Sequence, residues 1–95
     1  MSPTSAYQEK ELILRLIEND TKAFEIIYYH YVEKVYHFAL KYLKNTSEAE
    51  EIIQEVFTKI WDNRKMINPE LSFNSYLLTI VKNTIFNDHR KKSFP

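Results

Sequence analysis

Residues 48–61 have the sequence EAEEIIQEVFTKIW, in which an apolar and an acidic stripe run side by side. The apolar residues recur at three- and four-residue steps, which is the spacing of one face of an α-helix. The predicted buried face consists of Ile52, Ile53, Val56, Phe57 and Ile60. Ser47, with Glu50 three residues later, has the pattern of a capping box, so we predict a helix from Ser47 to about Asp62.

The first of two helices predicted before this segment runs from about Tyr7 to Glu18. Its buried face is predicted to be Leu12, Ile13, Leu16 and Ile17. The second helix, capped by Asp20 or Thr21, is predicted to run to about Leu43. Its predicted core stripe, at steps of three and four residues, is Phe24, Tyr28, Tyr31, Val35, Phe38 and Tyr42. We interpret these aromatic residues as core rather than as a ligand site.

A fourth helix is predicted after a polar connector at residues 64–72. The connector contains Pro69, whose ring disfavours a helical conformation at the residue before it. The helix is expected to start after Ser72 and to reach about Lys91. Its predicted apolar face is Phe73, Leu77, Ile80, Val81 and Thr84.

The composition agrees with a helical fold. The chain has 95 residues, of which 44% are hydrophobic and 15% aromatic, and this suffices for one domain with a packed core. Gly is absent and no Asn-Gly pair is available for a tight hairpin turn, so a sheet-rich fold is disfavoured. We therefore predict an all-α fold, a compact helical bundle of about four helices.

The sequence lacks the residue patterns of common catalytic and cofactor sites. It has no Cys, which excludes disulfides and Cys-ligated zinc, and no Gly, which excludes a glycine-rich phosphate loop. None of the 3 His residues follows a Glu by three positions, as a di-iron helical bundle requires. We therefore predict no catalytic residue, no metal site and no cofactor, and we interpret the chain as a non-enzyme. No apolar run reaches the roughly 20 residues of a membrane span, so membrane insertion is not expected.

Charge is distributed unevenly along the chain, although the net charge is zero. Residues 1–63 carry 11 acidic and 7 basic side chains, whereas residues 64–95 carry 2 acidic and 6 basic ones. Such asymmetry favours two partners of opposite electrostatic preference, although a neutral chain can also divide in this way by chance.

The acidic stripe within residues 48–61 is one candidate binding surface. It consists of Glu48, Glu51, Gln54 and Glu55. A charged helix face is usually solvated and nothing more. The alternative is a docking surface for a basic partner, and the residues alone leave both interpretations open.

The predicted fourth helix carries the other candidate surface. Its polar side gathers Lys82, Asn83, Asn87, Arg90 and Lys91. Lys and Arg neutralise phosphates and Asn can bond to base edges, while Tyr76 near the helix start can stack on an unpaired base. A basic helix end that complements only its own dipole is the alternative.

Four stretches of the sequence resemble region 2 of the extracytoplasmic-function (ECF) group of bacterial RNA polymerase sigma factors. They are ELIxxLIxND at 11–20 followed by Ala23 and Phe24, the tyrosines within 28–31, EAExIIQEVF at 48–57 with Trp61, and FxxYLxxIxxN at 73–83 with Asp88 and Arg90. The third stretch is the most specific, and together the stretches span about residues 9–92. The family usually has Trp where Tyr76 stands and often Tyr where Leu78 stands, which affects the details of base stacking.

The resemblance implies a cytoplasmic bacterial protein that binds core RNA polymerase and recognises and melts the minus-ten promoter element. The acidic stripe would dock on the coiled-coil clamp of the largest polymerase subunit. The connector and the fourth helix would bind the non-template DNA strand, with Lys65, Asn68 and Tyr76 around a flipped base. An anti-sigma factor is a further candidate partner.

The resemblance also implies a domain organisation. We expect residues 1–95 to form one region 2 domain with a core at about 7–92, flexible tails at 1–6 and 93–95, and no copy of the second DNA-binding domain that the family usually carries. Two other functions stay open. A helix-turn-helix DNA-binding regulator needs a tight turn, which the connector fits poorly. A helical adaptor that binds only protein would have no affinity for DNA.

Overall fold

The fold consists of helices alone. The computed structural model describes the backbone of residues 6–89 and the side chains of residues 8–87. Its α-helices are α1 (Ala6–Ile17), α2 (Thr21–Leu43), α3 (Thr46–Asp62) and α4 (Phe73–Asn83). A 3₁₀ turn (Arg64–Met66) precedes α4 and a π-helical segment (Thr84–His89) extends it. Residues 6–89 contain no strand, so the predicted all-α bundle is confirmed, and none of their helices is long and apolar enough to cross a bilayer.

The core lies where α3 meets the other helices. The whole predicted face of α3 is buried, namely Ile52, Ile53, Val56, Phe57 and Ile60. Helices α1 and α4 add the predicted residues Leu12, Ile13, Leu16, Phe73, Leu77 and Val81. Two residues predicted for the same faces, Ile17 and Ile80, are only half-buried. Burial of this apolar surface is the main source of stability, at about 25 cal/mol per Å² removed from water.

The core stripe of α2 differs from the prediction. The buried residues are Ala23, Ile27, Tyr31, Val35 and Ala39. Of the predicted stripe only Tyr31 and Val35 are buried, whereas Phe24, Tyr28 and Phe38 are half-buried and Tyr42 is 49% exposed. The seam runs through the two alanines because small side chains let α2 approach its neighbours closely. Four of the five predicted rings, those of Phe24, Tyr28, Phe38 and Tyr42, therefore lie beside the seam, and only the Tyr31 ring lies in it.

The start of α3 also differs from the prediction. The N-cap is Asn45, whose Oδ1 accepts a hydrogen bond from the Glu48 amide at 2.9 Å. Lys44, in the left-handed conformation with φ 54°, ends α2 directly before it. Because only these residues separate the two helices, the first available capping side chain is used and Ser47 lies inside the first turn. The predicted capping box at Ser47 is therefore wrong.

The junction between α1 and α2 has the predicted cap. Asp20 accepts hydrogen bonds from the amides of Lys22 (2.9 Å) and Ala23 (3.2 Å) and another from Nε of Arg15 (2.9 Å). The Arg15 hydrogen bond, followed by that of the Ala23 amide, lowers the pKa of the Asp20 carboxyl below its usual value. The ionised carboxylate is therefore the form that the folded chain prefers.

This pKa shift predicts a dependence of stability on pH. A carboxyl whose pKa is lower in the folded than in the unfolded chain stabilises the fold fully above about pH 4, and this stabilisation is lost as the pH falls through the lowered pKa. Asp20→Asn and Asp20→Ser keep a capping oxygen but do not titrate. In urea unfolding at a series of pH values, the free energy of unfolding of both variants should therefore fall less steeply with decreasing pH than that of the parent. Curves parallel to that of the parent would contradict this assignment.

A buried polar contact marks the change from α4 to the π-helical segment. The Thr84 side chain is 0% exposed; its hydroxyl donates to the Ile80 carbonyl at 2.7 Å and accepts from Nζ of Lys59 at 2.9 Å. The segment begins at this residue, so the chain after Asn83 is not the regular α-helix that was predicted. The predicted end near Lys91 lies outside the described residues.

Candidate protein and nucleic-acid interfaces

The acidic face of α3, defined as Glu48, Glu51, Gln54 and Glu55, lies opposite the buried stripe of that helix. Glu51 and Gln54 are exposed, while Glu48 and Glu55 are half-buried. Three of these residues line one shallow concavity together with Ser47 and Glu50. The helix thus presents carboxylates and an amide over about two turns, and such a surface suits a partner with basic side chains.

An aromatic groove that the sequence analysis did not predict adjoins the acidic face. It is lined by Phe24, Tyr28, Ile53, Gln54, Phe57, Thr58 and Trp61. Its rings pack edge to face, with centroids 5.3 Å apart for Phe24 and Trp61 and 4.8 Å apart for Tyr28 and Phe57. Gln54 lines both the groove and the acidic concavity, so apolar and acidic surfaces are continuous. The signal in the sequence was the pair Ala23 and Ala39, because a seam through these small residues leaves the rings of Phe24 and Tyr28 beside it.

The connector between α3 and α4 begins with an arginine that contacts α3 and the turn between α1 and α2. The guanidinium of Arg64 lies over the Trp61 ring, 4.0 Å from its centroid, and Nη1 donates to the Trp61 carbonyl at 2.7 Å. Nε and Nη2 both donate to Oδ1 of Asn19, at 2.9 and 2.7 Å. The ammonium of Lys65 donates to the carbonyl of Ile17 at 2.9 Å. The connector is thereby joined to the carboxyl end of α1.

The second half of the connector forms a turn that leads into α4. Oδ1 of Asn68, an exposed residue, accepts from the Glu70 amide at 2.9 Å. Glu70 also pairs with Lys10 of α1, with 2.8 Å between the ammonium and the carboxylate. Helix α4 starts after Ser72 as predicted, and the Ser72 hydroxyl caps it by accepting from the Ser75 amide at 3.2 Å.

The polar side of α4 and of the π-helical segment carries the described residues of the predicted DNA surface. Lys82, Asn83 and Asn87 are exposed. Tyr76 is half-buried against Phe73, with ring centroids 6.0 Å apart, and this burial raises the pKa of its phenol. Tyr76 and Asn83 are seven residues apart and therefore lie on the same side of α4, two turns apart.

Three further residues were predicted to bind DNA, namely Lys65, Arg90 and Lys91. Arg90 and Lys91 lie outside the described residues. Lys65, predicted to contact DNA, has its ammonium on the end of α1. Among the described side chains no cluster of three or more His, Asp or Glu could hold a metal ion.

Comparison with protein-family models decides the family. The model described as Sigma-70 region 2 matches residues 27–94, which include α3, the connector and α4. The chain belongs to the Sigma-70 region 2 family. This family consists of sigma factor domains and is not a class of enzymes. The resemblance inferred from the sequence motifs is thus confirmed.

Two curated relatives agree with this assignment. The chain is 31% identical over 83 residues to the ECF RNA polymerase sigma factor SigW of Bacillus subtilis, a match covering 87% of this chain and 44% of that protein. It is 25% identical over 80 residues to the RNA polymerase sigma-H factor of Pseudomonas aeruginosa, covering 84% and 42%. This region 2 domain therefore spans less than half the length of either relative.

A solved structure has the same fold. The NMR structure of an engineered region 2 of sigmaE in complex with GTAAAA superposes with a TM-score of 0.73 at 21% identity, covering 99% of this chain and 100% of that one. At this identity the similarity establishes the architecture of the bundle, and the predicted fold class is confirmed.

Proposed function

We propose that this domain binds core RNA polymerase through the acidic face of α3 and recognises and melts the minus-ten promoter element through the connector and α4. The observation that carries the proposal is the family match over residues 27–94, which contains both surfaces. We assign no catalytic residue and no cofactor to it. The domain would act by binding alone, inside the larger initiation complex.

The physical argument for DNA rests on the division of labour among the residues of α4. Lys82 is exposed and suits a phosphate, which positions DNA without reading its sequence. Asn83 and Asn87 are exposed amides of the kind that bond to base edges. Tyr76 lies near the start of α4, and its partly exposed ring suits an unstacked base, with Asn68 of the connector beside the DNA strand. Lys65, whose ammonium bonds to the Ile17 carbonyl, would act on that DNA strand through the connector.

The argument for the polymerase rests on α3. Its acidic face and the adjoining aromatic groove together offer charge complementarity at the edge and apolar area at the centre. Protein interfaces commonly combine aromatic anchors with a polar rim. We assign this surface to the clamp of the largest polymerase subunit. An anti-sigma factor would be a competing occupant of the same surface.

The two alternative functions have less support. A helix-turn-helix regulator needs a tight turn before its recognition helix, whereas residues 63–72 between α3 and α4 contain a 3₁₀ turn and an Asn68-centred turn. An adaptor that binds only protein leaves the exposed amides and lysine of α4 without a role. Both alternatives predict no preference for single-stranded over duplex DNA.

The DNA proposal is tested by binding to single strands. Fluorescence anisotropy should show tighter binding to a labelled GTAAAA-type strand than to its duplex, because a base must leave the stack before the connector and Tyr76 can contact it. Lys82→Ala should weaken binding to all strands alike and lower the slope of log affinity against log salt by about one unit. Asn83→Ala should instead narrow the difference between preferred and scrambled strands.

The controls separate promoter reading from general charge. Lys22→Ala removes an exposed lysine of α2 and should leave affinity, salt slope and strand preference as in the parent. The measurements are repeated with core RNA polymerase of the same organism, because assembly raises the local order of the site. Equal binding of preferred and scrambled strands by the assembled complex, unchanged by Asn83→Ala, would remove the promoter-reading function.

A further inference from the structure

The start of the connector is joined to α1 more firmly than a solvent-exposed loop requires. Arg64 and Lys65 together donate three hydrogen bonds to the end of α1 and the turn that follows it. Nε and Nη2 of Arg64 donate to Asn19 in the turn, and Nζ of Lys65 donates to the Ile17 carbonyl, at the last residue of α1. Arg64 also stacks on Trp61, the last aromatic residue of α3. The connector therefore leaves α3 along a path that α1 helps to define.

The acceptor in this arrangement occupies an unusual backbone position. Asn19 has φ 71°, in the left-handed region that Asn tolerates better than most other residues. Its side-chain oxygen accepts both bonds from one edge of the planar guanidinium, a geometry that a lysine does not reproduce. The Ile17 carbonyl belongs to the last turn of α1, where carbonyls lack partners within the helix and a cation is favourable.

The other attachments of the connector restrain its direction less. The Lys10–Glu70 pair is formed by side chains 43% and 68% exposed, and exposed ion pairs contribute little to stability. Ile67 is buried, but an apolar side chain restrains position more than direction. The direction in which the chain leaves α3 is thus set mainly by the Arg64 guanidinium. This planar group bonds to both Asn19 and the Trp61 carbonyl, so its orientation is fixed.

We infer that Asn19 and Arg64 are positioning residues for promoter selectivity: they hold the connector in the shape that discriminates one base from another, without contacting DNA themselves. This inference rests on the proposed DNA-reading function. Discrimination between bases requires polar groups fixed to within fractions of an ångström, since a mobile loop can adapt to any base. The geometry also assigns the Lys65 ammonium to α1, so its effect on DNA passes through the connector.

Two substitutions remove the contact; Asn19→Gly removes it alone, whereas Arg64→Lys also removes the guanidinium that bonds to the Trp61 carbonyl and stacks on the Trp61 ring. Asn19→Gly deletes the acceptor while keeping the left-handed backbone, which Gly adopts freely. Arg64→Lys keeps the charge and deletes the paired donors. Asn19→Asp restores an acceptor for the guanidinium and is the rescue variant. Arg15→Lys is the matched control, because Arg15 is an exposed α1 arginine that bonds to Asp20 and not to the connector.

The readout is a selectivity ratio, measured by anisotropy against GTAAAA and all its single-base variants, with core polymerase present. Asn19→Gly and Arg64→Lys should each reduce the ratio of the affinities for the best and the worst base at the most selective position by about fivefold, the size of effect expected for losing this exposed pair of hydrogen bonds. The double variant should lose no more than Arg64→Lys alone, because the contact with Asn19 is already absent from that variant. Asn19→Asp and Arg15→Lys should keep the parental ratio.

The possible outcomes separate this inference from the proposed function. A parent without base preference would overturn the DNA-reading function itself. A selective parent whose Asn19→Gly and Arg64→Lys variants keep the full ratio would overturn only the positioning role. So would a uniform loss of affinity for every strand accompanied by a lower thermal midpoint, since that pattern indicates a purely structural contact.

Discussion

Phe57→Ala is expected to lower the free energy of unfolding by about 3–5 kcal/mol, a large share of the stability of so small a domain. Phe57 is only 4% exposed and its ring packs edge to face on Tyr28 (4.8 Å) and Phe24 (6.5 Å). Truncation removes apolar contact and leaves a cavity between α2 and α3 that rigid helices close only in part. Urea unfolding followed by circular dichroism measures the loss.

Thr58→Ala is the matched control for this prediction. Thr58 is the next residue of α3 but is exposed, so its substitution should change the free energy of unfolding by less than about 0.5 kcal/mol. A loss of under about 1 kcal/mol for Phe57→Ala would mean that α3 is rotated from the orientation described. Because Phe57 also lines the aromatic groove, the variant should be compared with the parent in binding assays only after its fold is checked.

The orientation of α3 could be predicted from sequence because its two stripes are unambiguous. Residues such as Ile52 and Val56 recur on one face while Glu51 and Gln54 recur on another, so a single rotation of the helix satisfies both. Helix α2 offers two overlapping stripes. The aromatic one, containing Phe24 and Tyr28, has the larger apolar area, but close packing favoured the stripe through Ala23. The periodicity of the sequence does not indicate which of the two stripes lets α2 pack more closely against its neighbouring helices.

The candidate surfaces were predictable to different degrees. Each acidic or amide residue of α3 and α4 could be placed on its face because helical spacing is local. The contact of Arg64 with Asn19 joins residues 45 positions apart and depends on a backbone turn after α1. No local pattern predicts such a contact. For the same reason, no local pattern predicts that the Lys65 ammonium has a partner on α1.

The acidic face leads to the second prediction with a large effect. Glu51→Lys is expected to weaken binding to core RNA polymerase by about thirtyfold, because reversing the charge converts attraction into repulsion at a basic partner. Glu51 suits this test better than Glu55, since it is exposed and lines the acidic concavity, whereas Glu55 is half-buried. Glu51→Gln removes only the attraction and should give a smaller loss. Affinity for core RNA polymerase is therefore expected to fall from the parent to Glu51→Gln and further to Glu51→Lys, both in pull-down and in surface binding assays.

Glu11→Lys provides the matched control for charge reversal. Glu11 is likewise an exposed helical glutamate, but it lies on α1, which packs on α2 and the 3₁₀ turn. Its reversal changes the net charge by the same amount, so a general electrostatic effect would weaken both variants equally. Selective loss in Glu51→Lys, with thermal unfolding unchanged and the loss diminished at high salt, would assign docking to the acidic face. Parental affinity in Glu51→Lys would place the polymerase contact elsewhere, and the aromatic groove between α2 and α3 would then be the surface to substitute next, beginning with Trp61.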